Sequence, residues 1–456
     1  MSRPDRRAFD AIVKSNDIRG IVPSELDETL AYALGTGVAD LLGPSTVVVG
    51  RDARTSSPSI ARALCDGIVA RGVDVLDAGL VSTDELYFAT GHLRLPGVMV
   101  TASHNPGHYN GFKICRPDAR PVGRDTGLSE IVARGLALLD DSSPWPSRGV
   151  VERIDLLEDY ATRLLQLAPV RGRRLRVVVD AANAMAGLTV PAVLSRVDVE
   201  LVPLNFELDG RFPAHPPDPL DPANLVPLQE AVVRQRADIG LAFDGDADRC
   251  FFIDERGAAV SPSAVVALVV RRELERHPGG TVVHSLTCSR AVTEQIAASG
   301  GVAVRAPVGH AGIKTRMAQT GAVFGGEHSG HYYFADFWNA DSGMLAALHV
   351  LAMLAASDGP MSALVAPYER YTASGELNSR VADVPAALAR AEALFAGDAQ
   401  VSRDDLDGLT LTHPRWWLNL RSSNTESLLR LNVEADDPSL MASVRDRVLT
   451  AIRSEP

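Results

Sequence analysis

The sequence predicts an α/β protein of four domains: three related mixed α/β units, then a smaller C-terminal α+β domain, around a central cleft. Three observations carry this. The chain has 456 residues, too many for one core, and about 100–200 residues per domain gives roughly three or four domains. An early apolar strand followed by a polar turn and a helix recurs three times, from Val47, Val177 and Val282. Each of those units also has a late apolar strand that runs into a polar loop, around Ser103, Asp244 and Glu327. Ligands of α/β sheets gather at such strand ends, so three loops can face one cleft.

In chain order, Thr46 to Gly50 reads as a buried strand, and Ser57 to Arg71 as a helix. The Ser-Ser-Pro start of that helix offers a capping side chain and a first-turn proline. Val73 to Leu76 and Val98 to Val100 read as further strands. The Ser142–Ser147 stretch, rich in serine and proline, marks a boundary. A second unit opens on the strand Leu175 to Asp180. A third begins near Ser261-Pro262, with its first strand at Thr281 to His284. From about Tyr368 the composition changes. Trp416-Trp417, a helical run from Ala386 to Phe395 and a strand from Ser427 to Val433 predict the α+β domain. The expected domains are 1–147, 148–254, 255–366 and 367–456.

Composition narrows the function. Hydrophobic residues make up 46% and charged residues 22%, as in a globular protein. The net charge of -12 argues against nucleic acid or a membrane surface as partner, since both need a basic face. A local positive pocket for an anionic small molecule stays compatible with it. The N-terminus lacks the apolar segment of a secretory signal. The stretch Met344 to Ala356 is too short to span a bilayer and is expected to be a buried helix. Cys65, Cys115, Cys250 and Cys288 are far apart with no CxxC pair. Reduced thiols in a cytoplasmic protein are expected, not disulfides or zinc.

Asp244, Asp246 and Asp248 follow an apolar run. Spaced by two in an extended loop, they converge on one face. Three adjacent carboxylates repel one another, and a cation relieves the repulsion. Magnesium suits them, since it favours oxygen and leaves room for a phosphate oxygen. An EF-hand has similar spacing, with Glu255 in the twelfth place, but Arg249 stands where that loop needs glycine. Ser103 ends another apolar run. His104 and Asn105 beside it are polar, Pro106 stiffens the exit, and Gly107 allows a ligand to approach closely. A serine hydrolase would need a Gly-x-Ser-x-Gly elbow, which is missing. A placed hydroxyl and a three-carboxylate loop together suit phosphoryl transfer through a phosphoserine.

Basic residues form the third element: Arg19, Lys113 and Arg249 lie in or beside these loops. Arg421 with Ser422, Ser423, Asn424 and Thr425 groups phosphate donors. Glu327, Ser329 and His331, between glycines, offer hydroxyl-recognising groups, with His328 among them. His310 is a further candidate, for substrate binding or for packing.

Together these motifs resemble the α-D-phosphohexomutase superfamily, in the phosphomannomutase/phosphoglucomutase group. The resemblance spans essentially the whole chain, with four loops in the family's order. Thr101–Pro106 matches the phosphoserine loop, and 244–249 the metal loop, with Ala247 where glycine is common. Gly326–His331 matches the sugar-recognition loop, with His328 where methionine is frequent. The 421–426 segment matches the phosphate-binding loop, with Ser427 in place of proline. Asn16 stands where many members have an aromatic residue, and a common lysine is missing near Thr287.

The resemblance implies that Ser103 is phosphorylated and that Asp244, Asp246, Asp248 and the serine phosphate bind magnesium. Arg249, Lys113, Arg19 and His104 would lie at the reaction centre. Glu327, Ser329, His331 and His310 would meet the sugar, and Arg421, Ser423, Asn424 and Thr425 its distant phosphate. The implied reaction moves a phosphoryl group between the 1- and 6-positions of a hexose phosphate, through a hexose 1,6-bisphosphate. Closure of the last domain would exclude water. Mannose ranks first and glucose second. Asn424 in place of glycine puts glucosamine phosphate below both. A sugar-phosphate sensor and a magnesium-dependent phosphatase are the competing classes.

Overall fold

The computed structural model describes residues 11–43, 45–139, 148–422 and 428–453, apart from the side chains of His310 and Ala311. The expected boundary at Ser142–Ser147 lies outside these residues. The three α/β units prove to be one plan used three times. In the first, Thr46–Arg51 lies between Asp74–Leu80 and Gly97–Val100, parallel to both, and Tyr109–Arg116 runs antiparallel beside Gly97–Val100. The second repeats this with Leu175–Asp180 between Val199–Leu204 and Ile239–Phe243, and Cys250–Asp254 antiparallel at the side. The third repeats it with Thr281–Ser285 between Val302–Ala306 and Phe324–Gly326, and Tyr332–Phe334 antiparallel. The central strands are near-continuous apolar runs because helices cover both of their faces.

The C-terminal domain is an antiparallel sheet. Leu428–Ala435 and Trp416–Ser422 form its centre, packed by the helices Val384–Ala393 and Pro438–Arg453. The expected helix from Ala386 starts two residues earlier. Asp383 caps it by accepting from the Ala386 amide at 2.9 Å, and Pro385 sits in the first turn.

One local expectation is corrected. The helix predicted from Ser57 runs Ser57–Val69, and Ser56 caps no amide. Its hydroxyl instead accepts from Asn110 Nδ2 at 2.9 Å, tying the helix to the serine hairpin. The apolar stretch near Met344 forms the buried helix Gly343–Ala355. Among the described residues no helix is long and apolar enough to cross a membrane. All four cysteines are buried and unpaired.

The three units lock together on one carboxylate. Asp84, in the first turn of the helix Thr83–Leu93, accepts from Ser82 Oγ of its own unit. It also accepts from Tyr160 at 2.8 Å in the second unit and from Ser342 at 2.6 Å in the third. Burial pushes Asp84 up to about 6 against those hydroxyls. Glu85 beside it is buried too, and its Oε2 has no hydrogen-bond partner among the described residues. Burial, with the charge of Asp84, pushes Glu85 from 4.5 up to about 8. Between those values the folded chain holds more protons than the unfolded chain, so stability falls as pH rises. Glu85→Gln is therefore expected to flatten the fall in melting temperature toward pH 8, and parallel curves for the two proteins would contradict this.

Candidate active site

The repeated plan fixes where the candidate residues go. Ser103, Asp244–Arg249 and Glu327–His331 all occupy the same connection, from the third strand of the unit to its antiparallel fourth. Buried strands deliver the three loops, so their polar side chains meet in a dry place. Ser103 and Arg249 are both nearly fully buried.

Ser103 has φ +51, in the left-handed region that side chains seldom adopt. Its amide donates to Thr101 Oγ1 at 2.9 Å. Its Oγ donates to Asp244 Oδ2 at 2.8 Å and accepts from Arg249 Nη2 at 3.2 Å. His104 Nδ1 lies 3.3 Å from Oγ and also accepts from Arg249. Burial, then the charges of Arg249 and Arg19, hold His104 well below its usual value, so it is neutral. Arg19 pairs with Asp17 at 2.8 Å and holds the serine loop through Asn105 Oδ1 at 2.6 Å.

The aspartate loop is a turn, not the extended segment expected. Ala247 donates to the Asp244 carbonyl at 3.1 Å with φ +60. The left-handed Ala247 gives a physical reason for glycine at this place in the resembling family. The turn brings ligand atoms of Asp244, Asp246 and Asp248 within 4.8 Å of one another. Lys113 Nζ lies 2.7 Å from Asp246 Oδ2 and also bonds Asp248 Oδ2. Arg249 Nε lies 3.0 Å from Asp244 Oδ2. Burial pushes Asp244 up to about 6, against Arg249. Burial and the neighbouring carboxylates also push Asp248 well above its usual value. Burial alone would raise Asp246, but Lys113 and Thr83 outweigh it and hold its carboxyl low. Two buried oxygens, Asp246 Oδ1 and Asp248 Oδ1, have no hydrogen-bond partner among the described residues. Buried carboxylate oxygens that accept no hydrogen bond, in one cluster of three aspartates, fit a divalent cation.

Glu327 is buried and pushed up by that burial. It accepts from Tyr333 at 2.6 Å and from the Gly309 amide at 2.9 Å. Ser329 Oγ lies 2.9 Å from His331 Nδ1. His331 lies 3.6 Å from Glu327, 3.8 Å from Asp248 and 3.9 Å from Asp341, which joins the third loop to the aspartates. Lys314, 2.6 Å from Asp341, offsets that carboxylate. His310 opens the helix His310–Thr320, and its side chain lies outside the description. Arg421, next to last in the strand Trp416–Ser422, lies directly opposite Arg430, and both pair with Glu376. Ser423, Asn424 and Thr425 lie outside the described residues.

Sequence reading missed Arg54. Its side chain is fully buried, and all five N–H groups are used. Nε donates to Asp52 at 3.0 Å. The other four donate to the carbonyls of Ser103, Asn105, Pro106 and Tyr109 at 2.6, 2.7, 2.7 and 3.0 Å. Its signal was its position, just past the end of the strand Thr46–Arg51, where α/β proteins place functional groups. Gly107 also has a different use from the one expected. A Cβ there would lie 2.9 Å from the Gly210 carbonyl, so it admits a neighbouring backbone rather than a ligand.

Models of the phosphoglucomutase/phosphomannomutase family match four successive segments. Its α/β/α domains I, II and III match residues 10–136, 158–257 and 261–371, and its C-terminal domain matches 376–451. The chain belongs to the phosphoglucomutase/phosphomannomutase family. A phosphomannomutase of Salmonella typhimurium is 40% identical, over 97% of this chain and 98% of its own. A protein of Xanthomonas campestris named for phosphohexose mutases is 40% identical, over 96% and 98%. The crystal structure of a phosphoglucomutase/phosphomannomutase family protein from Burkholderia thailandensis superposes with TM-score 0.88 at 31% identity, covering 97% and 98% of the two chains. Members of this family are isomerases, and the present chain keeps all four of its domains.

Lysine has three donors where Arg54 uses five. Arg54→Lys should lower stability by about 2 kcal/mol or more, because buried carbonyls lose their donors. An unchanged urea midpoint would contradict this.

Proposed function

We propose that the chain interconverts hexose 1-phosphates and 6-phosphates through a phosphoserine at Ser103, with mannose phosphates as first substrates and glucose phosphates as second. One observation carries the reading: a buried serine hydroxyl between a carboxylate and an arginine, in a loop cluster where two buried aspartate oxygens accept no hydrogen bond among the described residues. The name and 40% identity of the Salmonella relative support mannose. Four buried, unpaired thiols support a reducing compartment, the cytoplasm.

Phosphorylated Ser103 gives its phosphoryl group to the free hydroxyl of the bound hexose phosphate. The bond from Ser103 Oγ to phosphorus breaks, and a bond from the sugar oxygen forms. The hydroxyl proton passes to Glu327, assisted by His331 at 3.6 Å. A carboxyl raised by burial suits this acid–base role. The hexose 1,6-bisphosphate turns over in the cleft, and its other phosphate returns to Ser103. Added bisphosphate would serve as activator by restoring a lost serine phosphate.

Asp244, Asp246, Asp248 and the serine phosphate would hold magnesium, which when bound draws charge from the phosphoryl oxygens. Arg249 sits against Ser103 Oγ and stabilises the charge that develops there. Lys113 and Arg19 balance the carboxylates and orient the loop, while neutral His104 fixes Arg249. Ser329 and His310 would complete the sugar contacts. Arg421, with Ser423, Asn424 and Thr425, would take the distant phosphate once Arg421 exchanges Glu376 for it.

Ser103→Ala should abolish isomer formation without unfolding the protein, and retained turnover would remove the phosphoserine from the scheme. Mannose 1-phosphate and glucose 1-phosphate should both yield 6-phosphate, with the higher kcat/KM for mannose. Free phosphate without isomer would identify a phosphatase instead. Arg421→Ala should raise KM about tenfold or more, as loss of a charged contact worth roughly 1.5–3 kcal/mol requires. An unchanged KM would discard its role.

A further inference from the structure

The first turn of the helix Thr83–Leu93 reaches out of the first unit and grips Asp246 of the second at two points. Thr83 Oγ1 donates to Asp246 Oδ2 at 2.6 Å. The Thr83 amide donates to the Asp246 carbonyl at 2.9 Å. Thr83 is completely buried, and Ser82 caps the helix by accepting from the Glu85 amide at 3.2 Å, so the grip is on a rigid element. Asp84, the next residue, is fixed by hydroxyls from the other two units, which holds this turn still.

The grip is selective between the two oxygens of one carboxylate. Oδ2 of Asp246 takes both the Thr83 hydroxyl and the Lys113 ammonium, at 2.6 and 2.7 Å. Oδ1 takes nothing among the described residues and is buried. A carboxylate bound only by Lys113 could swing its plane about its last torsion, since that torsion is broad, and so turn its second oxygen away from the cluster. A hydroxyl on a capped helix turn, locked by the adjacent backbone bond, removes that freedom.

We infer that Thr83 is a positioning residue for the divalent-cation site: its hydroxyl pins Asp246 Oδ2 and so presents Oδ1 to the metal. This rests on the assignment of the aspartate loop as a cation site. Partners of this kind, which orient a ligand without touching the metal, typically change metal affinity about 10–100-fold when removed. Valine is close to threonine in shape and keeps the backbone bond to the Asp246 carbonyl, so Thr83→Val removes the hydroxyl alone. Thr83→Ser restores it.

The test is a titration of the protein carrying phosphate on Ser103 with manganous ion, free ion being read by electron paramagnetic resonance, with melting temperatures recorded without metal. Thr83→Val is expected to bind about tenfold more weakly than the wild type at a similar melting temperature, and Thr83→Ser close to the wild type. Equal affinity in Thr83→Val and the wild type would overturn the inference. Equal weakening in Thr83→Val and Thr83→Ser would also overturn it, because packing would then be the cause. If Thr83→Val does not fold, Thr83→Ala against Thr83→Ser makes the same comparison. Absence of manganous binding by the wild type would overturn the cation assignment itself, and this inference with it.

Discussion

Ser103 Oγ and Asp244 Oδ2 meet at 2.8 Å, and that contact joins two units whose loops are 141 residues apart. Much of the site can be understood as what it takes to hold this contact in a dry place. Gly245 has no side chain because the Ser103 carbonyl lies against it; a Cβ would come within 2.3 Å. Ser103 adopts a left-handed backbone, and Arg54 grips its carbonyl and three others of the same loop. The strain is local, and the hydrogen bonds that oppose it come from groups with nowhere else to donate.

Bringing the loops together also buries charge. Three aspartates cannot remain ionised side by side without cations. Lys113 and Arg249 supply two, each placed on a named oxygen. The oxygens left without a hydrogen bond, Asp246 Oδ1 and Asp248 Oδ1, fit a third. The same compensation recurs at the neighbouring loop, where Lys314 meets Asp341 and His331 lies between Asp341 and Asp248. On the proposed reading, a phosphoryl group entering here would meet Arg249 and the cation that the aspartates would hold, and such placed charge is the main service an enzyme gives to phosphoryl transfer.

The parts of this arrangement that are local in the chain were legible in the sequence. Apolar runs ending at Val100, Phe243 and Gly326 are strands, and the polar residues after them form the loops that meet. The threefold plan was visible as a faint recurrence because each unit must bury a strand of similar character. Long-range contacts were not legible. Arg54 reaches 49–55 residues along the chain, and Thr83 reaches 163 residues to Asp246. Nothing in the local pattern distinguishes Thr83 from an ordinary helix start, and the one mark of Arg54 is its place just past a strand end. Arg421 looked like a free phosphate donor for the same reason, since its partner Glu376 lies 45 residues earlier. The turn conformation of the aspartate loop was missed because Ala247 stands in a left-handed position without the glycine that would signal it.

The central claim is that one phosphoryl group passes from Ser103 to the sugar. The most direct measurement is a single turnover of protein carrying radiolabelled phosphate on Ser103, mixed with unlabelled mannose 1-phosphate and magnesium. The account predicts that the label leaves the protein and appears first in the hexose bisphosphate, then in mannose 6-phosphate. Label released as inorganic phosphate, or retained on Ser103 while mannose 6-phosphate forms, would contradict it.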